Sequence, residues 1–217
     1  MKRVLPWLLA MALPFAASVA YASFDEGIEY QRIEPSVPTS VPAGKVEVVE
    51  LFWYGCPHCF HFEPELNKWV KKLPKNVVFK RIPAALNPGW DVHAATFYTE
   101  QILGLEDKAH DAFFDAIHEQ HLPLMTPETI AAWFEKHYQV PQKKFLDVYH
   151  SFSVQAKVAS AKTLVERYGV NSVPTIVIDG KYRTDASMAG GSYPNLLKVM
   201  DYLVKKEAAN KEASAKQ

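Results

Sequence analysis

The chain has 217 residues, with 24 Lys and Arg against 24 Asp and Glu, so its formal net charge is zero at pH 7. This balance, together with the lack of a basic cluster interleaved with aromatic residues, argues against binding to nucleic acid or to anionic lipid. Only two cysteines occur, Cys56 and Cys59.

Residues 1–22 have the pattern of a secretory signal. Two basic residues precede an apolar stretch, and Ala-Tyr-Ala at positions 20–22 fits a signal peptidase site. An uncleaved membrane anchor is the alternative, but Pro6 and Pro14 interrupt the apolar run. We expect an exported mature chain that begins at Ser23, has no other transmembrane span and is long enough for one domain with a full core.

The first predicted unit of the mature chain is a strand, a helix and a second strand. Residues 46–53 are apolar at nearly every position, which is typical of a central strand covered on both faces. Gly55 ends this strand. A helix is then expected from Cys56, with apolar residues spaced by three and four, and with Pro64 as a kink. Residues 76–82 predict the second strand.

A helical block follows, and then a hairpin and a last helix. The pattern is helical from about residue 90 to 168, in segments separated by Gly, Pro or capping residues. Asp179-Gly180 between two short apolar runs predicts a β-hairpin. An amphipathic helix is predicted from Tyr193 to Val204 with Ser192 as its N-cap, and the polar tail is expected to fray.

The spacing of the two cysteines indicates reactivity rather than stability. A disulfide across so short a loop removes little entropy from the unfolded state. Helical spacing buries Cys59 beside Phe62 and Leu66. Cys56 instead lies at the helix N-terminus, where unpaired N–H groups and the helix dipole stabilise a thiolate. His58 adds a hydrogen bond or a positive charge there, and a thiolate that is this stable makes the disulfide an oxidant.

Leaving-group chemistry predicts the direction of reaction. A substrate thiolate attacks the sulfur of Cys56, and Cys59 departs, which leaves a mixed disulfide. The second thiol of the substrate then expels Cys56, whose low pKa makes it a fast leaving group. The chain contains no flavin or nicotinamide motif, so another molecule must reoxidise it.

Other chemistry for the Cys-x-x-Cys motif is less favoured. A c-type haem requires a histidine at position 60, where Phe60 stands, and an iron–sulfur cluster lacks cysteines. Zinc needs four ligands, for which the candidates are Cys56, Cys59, His58 and His61. Both histidines point away from Cys59 on a helix, so we predict no metal and no cofactor. A purely structural disulfide stays open on the motif alone.

The context of the motif resembles the thioredoxin superfamily. The resemblance is carried by a strand leading into Gly-Cys-Pro-His-Cys, a helix with an internal proline, and Val173-Pro174-Thr175 opening a later strand. Within that superfamily, the chain resembles the DsbA family of thiol oxidases. This resemblance is carried by Cys-Pro-His-Cys, the long helical insertion and the export signal, and it covers nearly the whole mature chain. The resemblance implies an α/β thioredoxin fold, β-α-β followed by β-β-α, with an inserted helical domain.

The predicted boundaries follow from this resemblance. Residues 1–22 are the signal peptide, and residues 23–84 are the first part of the thioredoxin fold. The inserted helical domain spans 85–165, the second part of the fold spans 166–205, and residues 206–217 form a polar tail.

The resemblance also implies a function. It predicts a periplasmic oxidase that donates the Cys56–Cys59 disulfide to reduced, partly folded exported proteins. A quinone-linked membrane protein of the DsbB type would reoxidise it, and it would act as a monomer. A disulfide isomerase or reductase is one alternative, although such relatives typically carry a dimerisation domain before the thioredoxin unit. A non-catalytic binding module with a structural disulfide is the other.

Two groups of site residues are implied in the same way. The peptide bond between Val173 and Pro174 should be cis, and Pro174 should face Cys56. An extended substrate can then lie beside the backbone of these two residues. A trans proline that opens an edge strand is the alternative. Pro57, between the cysteines, completes the motif.

Glu50 is the remaining candidate. It shares a strand face with apolar residues, so burial should raise its pKa, and the resemblance makes it a proton acceptor and donor for Cys59. Lys80 on the neighbouring strand is its expected counter-charge, and a plain Glu50–Lys80 structural pair is the alternative. The other histidines are expected at the surface or its boundary: His93, His110, His118, His121, His137 and His150.

Overall fold

The computed structural model describes residues 23–215, which build one five-stranded sheet in the order β1-β5-β4-β2-β3. The signal peptide predicted at 1–22 lies outside the described residues. The strands are β1 Gln31–Arg32, β2 Val46–Phe52, β3 Val77–Pro83, β4 Thr175–Ile178 and β5 Tyr182–Asp185.

Seven helices cover this sheet and form the insertion in the described part of the chain. They are α1 Pro57–Val70, α2 Pro88–Leu103, α3 Glu106–His118, α4 Pro127–Tyr138, α5 Gln142–Tyr149, α6 Phe152–Tyr168 and α7 Tyr193–Ser214. The predicted α/β thioredoxin fold, β-α-β and β-β-α around a block of helices, is therefore confirmed. Between residues 23 and 215, no helix has both the length and the apolar character that crossing a bilayer requires.

Strand β2 is an interior strand with a neighbour on each side, and all seven of its residues are buried. It pairs in parallel with β3 and antiparallel with β4. The prediction of a central strand covered on both faces is thus confirmed. Because β2 runs directly into the Cys-Pro-His-Cys segment, the least exposed strand of the sheet holds the start of α1 in place.

The insertion is anchored to the sheet by an aromatic core. Phe52, the last residue of β2, has its ring centroid 5.2 Å from that of Phe97 on α2 and 5.9 Å from that of Phe114 on α3. All three side chains are buried. Burying a phenylalanine contributes about 1.5–3 kcal/mol, so α2 and α3 are packed tightly behind the cysteine motif.

The hairpin and the last helix begin as their sequences predict. Asp179 and Gly180 have φ values of 52° and 64°, the left-handed conformation that favours Asp and Gly in the tight turn between β4 and β5. The hydroxyl of Ser192 accepts a hydrogen bond from the Asn195 N–H at 3.3 Å, which confirms the predicted N-cap.

Helix α7 nevertheless continues well beyond Val204, to Ser214. The prediction of a frayed tail is wrong because Glu207 within it is buried and accepts a hydrogen bond from Lys181 at 2.5 Å. The polar composition of the tail gave no sign that the Glu207 carboxylate faces inward and holds α7 against the hairpin.

Candidate active site

Cys56 lies where the sequence predicts, at the N-cap of α1. The residue is 7% exposed, and its thiol donates to the carbonyl oxygen of Val173 with a sulfur–oxygen distance of 3.6 Å. Both Cys56 and Cys59 are free thiols in this structure. The reduced dithiol therefore already faces the loop before β4.

The surroundings of Cys56 favour its thiolate. They lower the pKa of Cys56 from 9.0 to about 6. The largest cause is a hydrogen bond from the Cys59 thiol, and the backbone N–H groups of Cys59 and His58 and the charge of His58 act in the same direction. Burial opposes them. At neutral pH most Cys56 is then ionised. A thiolate is the form that departs readily and reacts with disulfides.

Cys59 is the opposite case. It has no exposed surface, and burial, followed by the hydrogen bond and charge of Cys56 and the charge of Glu50, raises its pKa well above the usual value. A Cys59 thiolate released by reduction must therefore be protonated promptly. Cys56 is thus suited to be a leaving group, and Cys59 is suited to accept a proton.

The two residues between the cysteines are exposed. Pro57 occupies the first turn of α1, where the missing N–H costs no hydrogen bond. The side chain of His58 faces solvent, while its backbone carbonyl accepts a hydrogen bond from the Tyr193 hydroxyl at 2.8 Å. Tyr193 thereby connects the start of α7 to the first turn of α1.

The loop before β4 brings Val173 and Pro174 to the cysteines. The Val173–Pro174 peptide bond is cis, as the family resemblance implied. Val173 contributes the carbonyl that faces Cys56, and Thr175 begins β4 immediately afterwards. The structure therefore brings together two residues that lie far from the motif in the sequence.

Glu50 is completely buried on β2, but its partner is Arg81 and not Lys80. The Arg81 Nε lies 3.1 Å from Glu50 Oε2. Burial, and then the negative charge of Glu63, raises the pKa of Glu50 well above its usual value, although Arg81 acts in the opposite direction. This environment favours the protonated form of the Glu50 carboxyl group.

Lys80 lies on the other face of the sheet, so the predicted Glu50–Lys80 pair is wrong. In the parallel register, Glu50 is opposite Arg81 and Val49 is opposite Lys80. Neighbouring side chains of a strand point to opposite faces. Lys80 accordingly pairs with Glu47, with Nζ 2.8 Å from Oε2.

A buried polar chain extends from Arg81 into the helical insertion, and the sequence analysis did not identify it. The Arg81 Nη2 lies 2.7 Å from Glu63 Oε2, and the Nε2 of His110 lies 3.1 Å from Glu63 Oε1. The His110 Nδ1 is 2.9 Å from the Tyr54 hydroxyl, which donates to Glu100 Oε2 at 2.6 Å. Burial raises the pKa of Glu100 well above its usual value.

One of these residues was detectable in the sequence. Glu63 follows Cys59 by four positions, so helical spacing places it on the same buried face. The expectation that the other histidines lie at or near the surface is wrong for His93 and His110, which are both buried. The ring of His93 bonds to the Leu124 carbonyl at 2.7 Å, and burial lowers its pKa to about 4. The sequence carries no local signal for these contacts between helices.

A tryptophan pair flanks the motif. The rings of Trp53 and Trp90 stack with centroids 4.3 Å apart and an interplanar angle of 5°. The Trp53 ring also covers Gly55, where the Cβ of any other residue would collide with it. Glycine at this position is therefore required by the packing of the aromatic ring.

Within residues 23–215, one group of three metal-ligating side chains has donor atoms within 4.8 Å of one another: Glu63, His110 and Asp111. Glu63 is already bonded to the guanidinium of Arg81, a cation that would repel a metal ion. We therefore describe the group as part of the buried polar chain and assign it no metal.

Comparison with known proteins gives consistent results. Residues 47–199 match the DSBA-like thioredoxin domain family. The thiol:disulfide interchange protein DsbA of Pseudomonas aeruginosa is 45% identical over 206 residues, covering 95% of this chain and 96% of that protein. DsbA of Azotobacter vinelandii is 44% identical over 192 residues, covering 88% of each. The crystal structure of Pseudomonas aeruginosa DsbA superimposes with a TM-score of 0.81 at 45% identity, covering 89% of this chain and 97% of that one.

Proposed function

Because the chain belongs to the DsbA family of thiol:disulfide oxidoreductases, we propose that it oxidises reduced, partly folded exported proteins with its Cys56–Cys59 disulfide. Thiol:disulfide exchange with protein substrates is the activity of this family. The observation that supports the direction of exchange is the contrast between the two sulfurs. Cys56 is largely ionised at neutral pH, whereas Cys59 is buried and stays protonated.

In the first step, a substrate thiolate attacks the sulfur of Cys56. The bond between the two protein sulfurs breaks, a mixed disulfide forms, and Cys59 departs with the electron pair. The Cys59 thiolate is unfavourable in its buried position, so it takes a proton. Glu50 is the proposed donor, because its carboxyl group is buried and its raised pKa keeps it protonated.

In the second step, another thiolate of the substrate attacks the substrate sulfur of the mixed disulfide. Cys56 leaves as a thiolate, and its low pKa makes this departure fast. The substrate has lost two electrons and gained a disulfide, and the protein is left as the reduced dithiol. His58 and Pro57 contribute by shaping the exposed first turn of α1 between the sulfurs.

Substrate binding is proposed along the loop before β4. The Val173 carbonyl lies against Cys56. Because Pro174 has no N–H, this stretch of backbone does not form a full set of hydrogen bonds within the sheet. An extended substrate segment that places its cysteine over Cys56 would run beside Val173 and Pro174, as an added strand does.

The remaining parts of the proposal concern the cell. The signal-like residues 1–22 support export to the periplasm. The chain contributes no redox cofactor motif, which supports reoxidation by a quinone-linked membrane protein of the DsbB type. We further propose that the mature protein acts as a monomer.

The decisive experiment is to trap the mixed disulfide. In a Cys59→Ala variant, Cys56 is first activated as its mixed disulfide with 5-thio-2-nitrobenzoate. The thiolate of a peptide with a single cysteine should then attack the Cys56 sulfur and expel thionitrobenzoate, and because neither Cys59 nor a second peptide thiol can release it, the peptide adduct accumulates. Cys56→Ser is the matched control and should trap nothing. A disulfide isomerase is the alternative, and it would repair a scrambled substrate faster than it oxidises a reduced one. Faster repair than oxidation, or equal trapping by both variants, would contradict the proposal.

A further inference from the structure

We propose that His110 of the helical insertion determines which of the two buried carboxylates around Arg81 carries a proton. With His110 in place, the proton resides on Glu50 and Glu63 is ionised. The importance of this arrangement for catalysis rests on the proposed role of Glu50 as the proton donor to Cys59. The location of the proton can be tested independently of that role.

Arg81 is shared by two carboxylates that it cannot both neutralise. Its Nε lies 3.1 Å from Glu50 Oε2, and its Nη2 lies 2.7 Å from Glu63 Oε2. The side chains of Glu50 and Glu63 are 0% and 5% exposed. One guanidinium balances one negative charge, and a second unpaired carboxylate in such surroundings is too costly. While the His110 ring is neutral, one of the two groups must therefore be protonated.

The hydrogen bonds of the two carboxylates differ. Glu63 Oε1 lies 3.1 Å from His110 Nε2, and Glu63 Oε2 is bonded to Arg81, so each oxygen of Glu63 has a donor. Glu50 Oε1 is buried and has no hydrogen-bond partner among the described residues. Donors stabilise the ionised form of a carboxyl group. The ionised carboxylate is therefore Glu63, and the proton belongs to Glu50.

The orientation of His110 is fixed from its other side. Its Nδ1 lies 2.9 Å from the Tyr54 hydroxyl, which also reaches Glu100 Oε2 at 2.6 Å. The Tyr54 hydroxyl carries one hydrogen. When the protonated carboxyl of Glu100 donates to the Tyr54 oxygen, that hydrogen goes to Nδ1 of a neutral ring, which carries its own hydrogen on Nε2. When Tyr54 donates to Glu100 instead, Nδ1 must donate, and a charged ring carries hydrogens on both nitrogens. In either state the Nε2 hydrogen points to Glu63. His110 is thus a positioning residue that acts on Glu50 through Glu63 and Arg81.

The charged and titratable groups that form or face this cluster come from several elements. They are Glu50 on β2, Tyr54 after β2, Cys56 at the N-cap of α1, Cys59 and Glu63 on α1, Arg81 on β3, Glu100 on α2, and Glu106, His110 and Asp111 on α3. Burial acts to raise the pKa of Glu63, but the hydrogen bond and charge of His110 and then Arg81 outweigh it and leave the pKa lowered. The negative charge of Glu63 in turn raises the pKa of Glu50.

Removal of the His110 donor should therefore move the proton. Glu63 would lose one of its two donors and become the protonated group. Glu50 would then be ionised and paired with Arg81. An ionised Glu50 has no proton to give to the Cys59 thiolate, so the first exchange step would slow.

The experiment is carbon-13 NMR of the glutamate carboxyl groups in the reduced full-length mature protein at pH 7. Glu50→Gln and Glu63→Gln variants assign the two signals. We expect a protonated Glu50 and an ionised Glu63 in the wild type. In His110→Leu these two states should be exchanged. In His110→Gln, whose amide restores a hydrogen-bond donor, the wild-type pattern should return. His150→Leu is the control, since His150 is exposed. A protonated Glu63 in the wild type would overturn the proposal even if His110→Leu failed to fold, and so would a His110→Leu variant that keeps the wild-type pattern.

Kinetics separate this inference from the function on which it rests. Oxidation of a dithiol peptide should slow about tenfold in His110→Leu, about 1.4 kcal/mol, and change less than about twofold in His110→Gln and His150→Leu. If Glu50→Gln retained wild-type kinetics, Glu50 would not be the proton donor. The NMR result would still decide which of the two carboxyl groups carries the proton when His110 is present.

Discussion

The low pKa of Cys56 makes a quantitative prediction for the stability of the reduced protein. A thiol whose pKa is depressed by folding adds stability that is full above the pKa of the unfolded state and is lost as the pH falls through the folded pKa. Here the folded value is about 6 and the ordinary value is 9.0. The contribution of Cys56 should therefore decline as the pH falls from about 9 and be absent below about 6.

The size of the effect follows from these two values. Linkage between them gives a change of about 2 to 3 kcal/mol in the free energy of unfolding between pH 5 and pH 8. We expect the lower figure, about 2 kcal/mol, because the sulfur lies near solvent at the end of a helix. The window ends at pH 8 because the raised pKa of Cys59 acts in the opposite direction at higher pH.

The assay is urea denaturation of the reduced protein, in excess reductant, at several pH values between 5 and 8. Cys56→Ser is the comparison, since serine does not ionise in this range and every other titrating group is retained. The difference in stability between the two proteins should grow by about 2 kcal/mol from pH 5 to pH 8. If the two stability curves run parallel, Cys56 is not a stabilised thiolate and the oxidase mechanism loses its basis.

Three further changes test individual parts of the site. His58→Ser should raise the pKa of Cys56 and shift the redox equilibrium with glutathione about threefold, or about 15 mV, toward a weaker oxidant, whereas His61→Ser on the same exposed surface should not. Glu50→Gln should slow the oxidation of a reduced peptide without abolishing it, while Glu47→Gln, on the opposite face of the strand, should leave the rate unchanged in stopped-flow measurements. Arg81→Met removes the cation that pairs with the buried Glu63 carboxylate and contacts Glu50, and it should lower the unfolding free energy by about 3–5 kcal/mol at neutral pH. Wild-type stability of that variant in urea would show that the ion pairs are not buried as described.

Local patterns in the sequence were sufficient for the elements that carry the cysteines. The apolar run of β2, the glycine and the spacing on α1 locate Cys56 at a helix N-terminus and Cys59 in the core. The hairpin around Asp179 and the Ser192 cap are likewise determined by neighbouring residues. Each of these features depends on a few positions in sequence, which is why they were predictable.

Contacts between distant elements were not predictable in the same way. A shift of one residue in the register between β2 and β3 exchanges the faces of Lys80 and Arg81, and nothing within either strand determines that register. The burial of His110 depends on how α3 packs against α1 and the sheet. The sequence therefore identified Glu50 as a buried acid but assigned it the wrong partner, and it did not reveal the polar chain behind it.

The two positions between the cysteines differ from those around them in one respect that affects evolution. Pro57 and His58 are exposed, whereas Cys59 is buried and Gly55 is fixed by the Trp53 ring. Mutations at 57 and 58 can therefore adjust the electrochemistry of the dithiol while leaving the packing of the domain almost untouched. Oxidising strength then varies with the stability of the reduced form while the core of the domain stays the same, so a library randomised at these two codons should yield graded oxidants that express as folded protein.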